Sequence, residues 1–81
     1  MAPSQDNLTQ ALALRIGARV RELRLARGLS QTHLADFAVL HRTFIGRVER
    51  GETNVTVTTL EKICGALGVT LAEFFRTFTG H

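Results

Sequence analysis

The sequence predicts an all-α domain of five helices, and three features support that prediction. Apolar residues recur at the three- and four-residue spacing of helices through most of the chain. Gly28, Gly51 and Gly68 follow periodic segments, where helices commonly end. Strand patterns are weak, because the alternation around Val55 and Val57 is short. A length of 81 residues suits one small domain.

The first two helices are predicted over residues 8–27 and 31–38. Ser30 suits the N-cap of the second helix. Residues 1–7 are polar and are expected to form a flexible N-terminus, which leaves residues 8–81 as the domain. The first helix has an apolar stripe made of Leu12, Ile16, Val20 and Leu23.

Three more helices are predicted after a turn at residues 39–41. The third covers residues 42–50, the fourth begins at Thr56 or Thr58 and ends at Leu67, and the fifth covers residues 71–78. Thr70 and Glu73 have the three-residue spacing of a capping box at the start of the fifth helix.

Positive charge is concentrated in one half of the chain. The formal net charge of the chain is +3, yet residues 15–50 alone contain eight arginines and only three acidic residues. A polyanionic partner follows from that concentration. For the arginines of the first helix, a solvated helix face is an alternative of equal weight.

Several classes of function are disfavoured. No run approaches the roughly 18 apolar residues of a membrane span, and the N-terminus lacks a signal-peptide pattern, so we expect a cytoplasmic protein without a membrane partner. The single cysteine, Cys64, is expected to be a buried small hydrophobe. His33, His41 and His81 have no metal-ligand spacing and no catalytic grouping is evident. We therefore expect no metal, no cofactor and no enzymatic activity.

Residues Leu29–Gly51 carry the main functional signal, because they form two short helices joined by a tight turn. Leu34, Ala35, Ile45 and Val48 are expected where the helices cross. The opposite face of the third helix carries Arg42, Thr43, Gly46, Arg47 and Arg50. Arginine and threonine side chains bond base edges and phosphates, so this pattern suits a helix that enters the DNA major groove. Gly46 either allows close approach to DNA or is simply tolerated.

The segment LSQTHLADFAVLHRTFIGRVERG resembles the helix-turn-helix of the lambda-type repressor and Cro family, also called the xenobiotic-response-element family. The segment VTVTTLEKICGALGVTLAEFF is similar to the fourth and fifth helices of that family. Within the family, HRTFIGRVERGETNVT is most similar to the controller proteins of restriction–modification systems. The resemblance implies a lambda-repressor-like fold and a homodimeric transcriptional regulator that binds a pseudo-palindromic operator at its own promoter, activating or repressing.

The resemblance also implies roles for individual residues. Arg42 and Thr43 are expected to contact bases or the adjacent phosphates. Arg47 occupies a base-reading position of phage repressors, although controllers often have a small residue there. An internal ion pair is expected between Arg24 and Glu49. Contacts to the DNA backbone are expected from Gln31, His41, Phe44, Arg50 and Asn54. A structural role is the alternative for Arg50, and packing or contact with a thymine methyl group is the alternative for Phe44.

Two residues depart from the family pattern. Val39 stands at a turn position usually held by glycine or asparagine with positive φ, which predicts a distorted turn or another geometry. Phe44 stands where many controllers have tyrosine, so no contact by a tyrosine hydroxyl group is expected at this position.

The fifth helix is predicted to mediate dimerisation. Its apolar stripe is expected to exceed what a small core can bury and so to form an interface, the alternative being that all of it is core. The stripe consists of Leu71, Phe74, Phe75 and Phe78. An activating role would add RNA polymerase as a partner, and the alternative function is an antitoxin or phage-type repressor that also binds a protein.

Overall fold

A computed structural model describes residues 5–78, with side chains from residue 7 onward. Its α-helices are α1 (Gln5–Ala26), α2 (Gln31–Ala38), α3 (Arg42–Glu49), α4 (Val57–Leu67) and α5 (Leu71–Phe74), and a 3₁₀ turn at Phe75–Thr77 follows. No strand occurs within these residues. The prediction of a five-helix all-α fold is confirmed.

The first helix begins earlier than predicted. It starts at Gln5 instead of Leu8, so the N-terminal segment expected to be flexible overlaps the first helical turn. Polar residues do not end a helix by themselves, and no glycine or proline follows Gln5 until Gly17. The remainder of that predicted flexible segment, residues 1–4, lies outside the described part of the chain, as do residues 79–81.

The predicted N-caps are present. The Ser30 hydroxyl accepts a hydrogen bond from the third amide of α2 at 3.0 Å, and Thr56 accepts the equivalent bond in α4 at 3.1 Å. Thr56 is therefore the cap of α4, and Thr58 lies inside the helix. At α5, Thr70 and Glu73 exchange bonds of 3.0 and 3.1 Å, which completes the predicted capping box.

The fifth helix is shorter than predicted. Its α-helical part ends at Phe74, and the chain continues as a 3₁₀ turn. Arg19 of α1 donates to the carbonyl oxygen of Phe74 at 2.8 Å and to that of Glu73 at 2.9 Å. These carbonyls would accept the amides that continue an α-helix, so their bonds to Arg19 give a physical reason for the early end.

The core lies between the helices and draws on all five of them. α1 contributes Ala13, 7% exposed, instead of Leu12, 47% exposed, so the predicted stripe is wrong at that position. Ala13 shares its helix face with Gly17, where α1 closely approaches the end of α3. The largest fully buried side chains are Val20, Leu34, Ile45, Val48, Ile63, Cys64, Leu67 and Phe74.

The turn between α2 and α3 keeps a left-handed residue. Val39 has φ 57° and ψ 48°, the conformation that glycine or asparagine adopts more readily. Its amide donates to Asp36 O at 3.2 Å, and the Leu40 amide donates to Ala35 O at 2.8 Å, which satisfies the end of α2. The prediction of a distorted or different turn is therefore wrong, because these bonds hold the usual geometry with valine in place.

Candidate nucleic-acid interface

Helix α3 has one buried face and one solvent face. Ile45, Gly46 and Val48 are buried, while Arg42, Thr43 and Arg47 are exposed. The buried face packs against α1 and α2, which fixes the direction in which the exposed side chains project. A helix with two exposed arginines and a threonine presents donors that suit base edges and phosphates.

The N-terminal end of α2 lies beside this face. A shallow cleft of about 350 Å³ separates them, and it contains four of the residues expected to contact DNA. The cleft is lined by Gln31, Thr32, Arg42, Thr43, Gly46 and Arg50. The structure thus brings the first residue of α2 together with Arg42 and Thr43 of α3 and with Arg50 at one surface.

The predicted pair of Arg24 and Glu49 is close and well shielded. Arg24 donates to Glu49 through Nε at 2.6 Å and through Nη2 at 3.0 Å. Its Nη1 donates to the carbonyl oxygen of Leu29 at 2.7 Å. The side chains are 9% and 3% exposed, and the hydrogen bonds that Arg24 donates to Glu49 raise the pKa of Arg24 against the effect of burial. Glu49 is therefore held inside the protein and away from a nucleic-acid surface.

The same carboxylate positions Gln31. The Nε2 atom of Gln31 donates to Oε1 of Glu49 at 3.1 Å. A side-chain amide carries two N–H donors, so one remains for another acceptor. The chain of contacts from Arg24 through Glu49 to Gln31 links α1, α3 and α2 directly beneath the cleft.

Gly46 makes room for two side chains of the cleft. A Cβ atom at this position would lie 3.1 Å from Nη1 of Arg50 and 3.5 Å from Oε1 of Gln31. The space is therefore taken by neighbouring side chains of the protein. This steric reason was not among the two that the sequence suggested.

The remaining predicted contact residues lie around the cleft. His41 is exposed and precedes α3, and its side chain makes no capping bond. Phe44 is half-buried against the core, so only part of its ring is available to a partner. Asn54 is exposed in the loop before α4 and lines a second groove, of about 460 Å³, together with Arg50. Arg50 forms an exposed ion pair with Glu52 at 2.9 Å.

Most arginines near α1 have internal partners, and apart from the pair of Arg24 with Glu49 these partners were not predicted from the sequence. Arg19 and Arg24 make the bonds given above, Arg27 donates through Nε to the carbonyl oxygen of Leu67, and Arg15 lies over the Phe78 ring at 4.5 Å. The partners are mostly backbone carbonyls at helix ends, which no residue pattern displays. Fewer guanidinium donors are therefore free for direct contacts with a nucleic acid than the sequence count suggests.

The predicted apolar stripe divides between core and surface. Phe74 is 0% exposed, so its prediction as an interface residue is wrong: α5 directs this ring into the core of its own chain. Phe75 is 36% exposed, and Leu71 and Phe78 are half-buried. The centroid of the Phe75 ring lies 5.0 Å from the centroids of the Phe74 and Phe78 rings, in edge-on contacts.

The described residues show little that suits other chemistry. No three histidine, cysteine, aspartate or glutamate side chains in this part of the chain come together as a metal site. No described helix combines the length and hydropathy that a membrane crossing needs. Cys64 is buried among core residues.

Comparisons with known proteins agree with this geometry. A family model described as helix-turn-helix matches residues 20–74. The control protein C.BamHI of Bacillus amyloliquefaciens is 44% identical over 63 residues, covering 76% of this chain and 78% of that protein. The control protein C.SmaI of Serratia marcescens is 45% identical over 58 residues, covering 72% and 69%.

Solved structures give the same result. The restriction–modification controller C.AhdI from Aeromonas hydrophila matches with a TM-score of 0.77 and 43% identity, over 80% of this chain and 98% of that one. The C.Esp1396I controller, solved as a tetramer in complex with its natural 35 base-pair operator, matches with a TM-score of 0.78 and 33% identity, over 82% and 87%. This chain belongs to the helix-turn-helix family of transcriptional regulators and, within it, to the restriction–modification controller proteins.

Proposed function

We propose that this protein binds a pseudo-palindromic operator at its own promoter as a homodimer and regulates the genes of a restriction–modification system. The observation that carries the proposal is the exposed face of α3, with Arg42, Thr43 and Arg47 projecting from a helix anchored by Arg24 and Glu49. Operator binding by the similar controller C.Esp1396I supports it.

In this proposal α3 enters the major groove and the N-terminus of α2 meets the phosphate backbone. Arg42, Thr43 and Arg47 contact base edges, where arginine bonds guanine O6 and N7 with two N–H groups. Backbone contacts fix the register of the protein on the duplex. They come from Gln31, His41, Phe44, Arg50 and Asn54.

Dimerisation uses the exposed part of the C-terminal apolar stripe. Leu71, Phe75 and Phe78 keep surface that a second copy would cover. A two-fold dimer presents two α3 helices to half-sites about 34 Å apart on one side of the duplex. The operator is then roughly palindromic.

The role is regulatory and not enzymatic, and it is exercised on DNA in the cytoplasm. Repression requires only that the dimer cover the promoter. Activation requires in addition a contact with RNA polymerase, which makes the polymerase a further partner of the DNA-bound dimer.

The test is DNA binding by Arg42→Ala, measured by fluorescence anisotropy on two duplexes. One carries the DNA upstream of the gene for this protein (the upstream duplex), and the other carries the same bases in scrambled order (the scrambled duplex). Loss of a base contact costs about 1–3 kcal/mol on the specific site only, so the preference for the upstream duplex should fall about 5- to 150-fold. Lys62→Ala removes one exposed positive charge from α4 and should preserve the preference. A protein whose preference survives Arg42→Ala would contradict the proposed role of α3.

A further inference from the structure

Arg50 is held by an acidic side chain two positions further along the chain. Its Nε donates to Oε2 of Glu52 at 2.9 Å, and its Nη2 donates to Oε1 at 3.1 Å. The two side chains are 57% and 51% exposed. A phosphate from outside can therefore reach the same guanidinium nitrogens that the carboxylate occupies.

The backbone at the end of α3 fixes the place of Glu52. Gly51 has φ 71°, which turns the chain back over the helix end. The Gly51 amide donates to Val48 O at 3.0 Å, and the Glu52 amide donates to Arg47 O at 2.9 Å. Paired bonds of this kind close a helix C-terminus. These bonds fix the backbone of Glu52 at the end of α3, and from this position its carboxylate contacts Arg50.

The paired guanidinium already lies in the cleft beside α3. Its Nη1 occupies the space over Gly46, 3.1 Å from where a Cβ atom would stand. Arg42 and Thr43 line the same cleft. Glu52 therefore brings a negative charge to the rim of the surface that is proposed to face DNA, where it opposes the approach of phosphate.

Glu52 is ionised at neutral pH. The hydrogen bonds from Arg50 hold the pKa of Glu52 below its usual value, and the nearby charges of Arg50 and Arg47 act in the same direction. The pair is consequently a full cation and a full anion, and each cancels much of the other's field at the rim of the cleft.

We propose that Glu52 competes with DNA phosphate for Arg50 and thereby lowers the affinity of this protein for DNA. The inference rests on the proposed DNA-binding function. When the protein binds, a phosphate replaces the carboxylate at Nε and Nη2 of Arg50, and Glu52 turns into solvent. Because the contact is to the DNA backbone, Glu52 weakens binding to every sequence by a similar factor and leaves sequence preference unchanged.

The experiment compares Glu52→Gln with the wild-type protein by fluorescence anisotropy on the upstream duplex and on a scrambled duplex, over a range of salt concentrations. Competition from an exposed ion pair is weak in water, and the repulsion of phosphate by the carboxylate adds to it. We expect about three- to tenfold tighter binding of both duplexes at low salt. The slope of log K against log salt should change by much less than the roughly 0.9 that an additional phosphate would give, because Arg50 neutralises the same phosphate in both complexes.

Two matched variants make the result specific. Glu61→Gln removes the same formal charge from an exposed position on α4 and should change affinity by less than about twofold. In an Arg50→Gln background, Glu52→Gln should lose most of its effect, because the guanidinium for which it competes is gone. Circular dichroism confirms that each variant is folded.

Equal effects of Glu52→Gln and Glu61→Gln would overturn the inference, since net charge alone would then explain the gain. Weaker binding by Glu52→Gln would also overturn it and would show that the carboxylate positions Arg50 for its contact. The proposed function fails by a different observation, namely a wild-type protein that does not prefer the upstream duplex. In that case, the change in affinity caused by Glu52→Gln can still be measured on the scrambled duplex.

Discussion

Gly17 of α1 and Val48 of α3 touch through their backbones. A Cβ atom on Gly17 would lie 2.1 Å from the carbonyl oxygen of Val48 and 2.9 Å from that of Glu49. No side chain fits between these helices at this point. The close approach brings α1 against the end of the helix that is proposed to read DNA, next to the ion pair that anchors it.

Gly17→Ala should therefore destabilise the protein strongly. The added methyl group must push α1 away from α3, and overpacking of this kind costs about 1–3 kcal/mol. Chemical denaturation followed by circular dichroism measures the free energy of unfolding. The matched control is Gly65→Ala, because Gly65 is helical and a Cβ there meets nothing within 4 Å. The control should gain up to about 1 kcal/mol from helix propensity, and a loss shared by both variants would contradict the steric argument.

Val39→Asn should stabilise the protein. The left-handed conformation of Val39 costs about 1–2 kcal/mol of conformational energy. Because this side chain is 84% exposed, its packing offsets little of that cost. Asparagine tolerates this conformation better, so we expect a gain of about 1 kcal/mol and a rise in Tm of about 4–8 °C. Val57→Asn is the control, since Val57 is also exposed but lies in the first turn of α4. An equal gain in both variants would show that exposed apolar surface, and not the turn, is responsible.

Removal of one member of the Arg24–Glu49 pair should be costly. Arg24→Met leaves a carboxylate that is 3% exposed without its main partner, and breaking a buried pair in this way costs about 3–5 kcal/mol. The double variant Arg24→Met/Glu49→Met removes both charges and should recover a large part of that loss. Urea denaturation of the wild type, both single variants and the double variant measures the coupling, and strictly additive losses would contradict a direct interaction.

Cys64 should react slowly with thiol reagents in the folded protein. Burial raises the pKa of the Cys64 thiol, and the negative charge of Glu61 adds to the effect. The thiol therefore stays protonated at neutral pH in the folded protein. Because the thiolate is the reactive form, modification should accelerate only at a pH above the usual pKa of a thiol. The rate with a disulfide reagent should be far lower in buffer than in denaturant, and similar rates would contradict the burial of this residue.

The parts of the fold that depend on neighbouring residues were predictable from the sequence. Ser30 and Thr70 cap helices through amides three residues away, so their pattern is local. The end of α5 was not predictable, because it depends on Arg19, more than 50 positions earlier in the chain. The adjacent Phe74 and Phe75 look alike in sequence, and only the direction of α5 decides which ring is buried.

The site was predictable in type but not in detail. The exposed face of α3 followed from helical spacing, whereas the closeness of Arg24 and Glu49 was expected only from family resemblance. Gly17 gave no signal, because a glycine within a helix looks the same whether it is crowded or free. The pairing of Arg50 with Glu52 depends on the turn at Gly51, which sequence spacing does not describe.

The arginines bound inside the protein have a consequence for mutational tolerance. Arg19 bonds two carbonyl oxygens at once, and Arg24 bonds a carboxylate and a carbonyl together. A lysine carries a single nitrogen at its tip and does not span such targets from fixed positions. Replacing these arginines by lysine would leave the long-range electric field almost unchanged while loosening the helices. Long-range attraction to a polyanion therefore requires only a positive charge at these positions, whereas cohesion of the domain requires arginine.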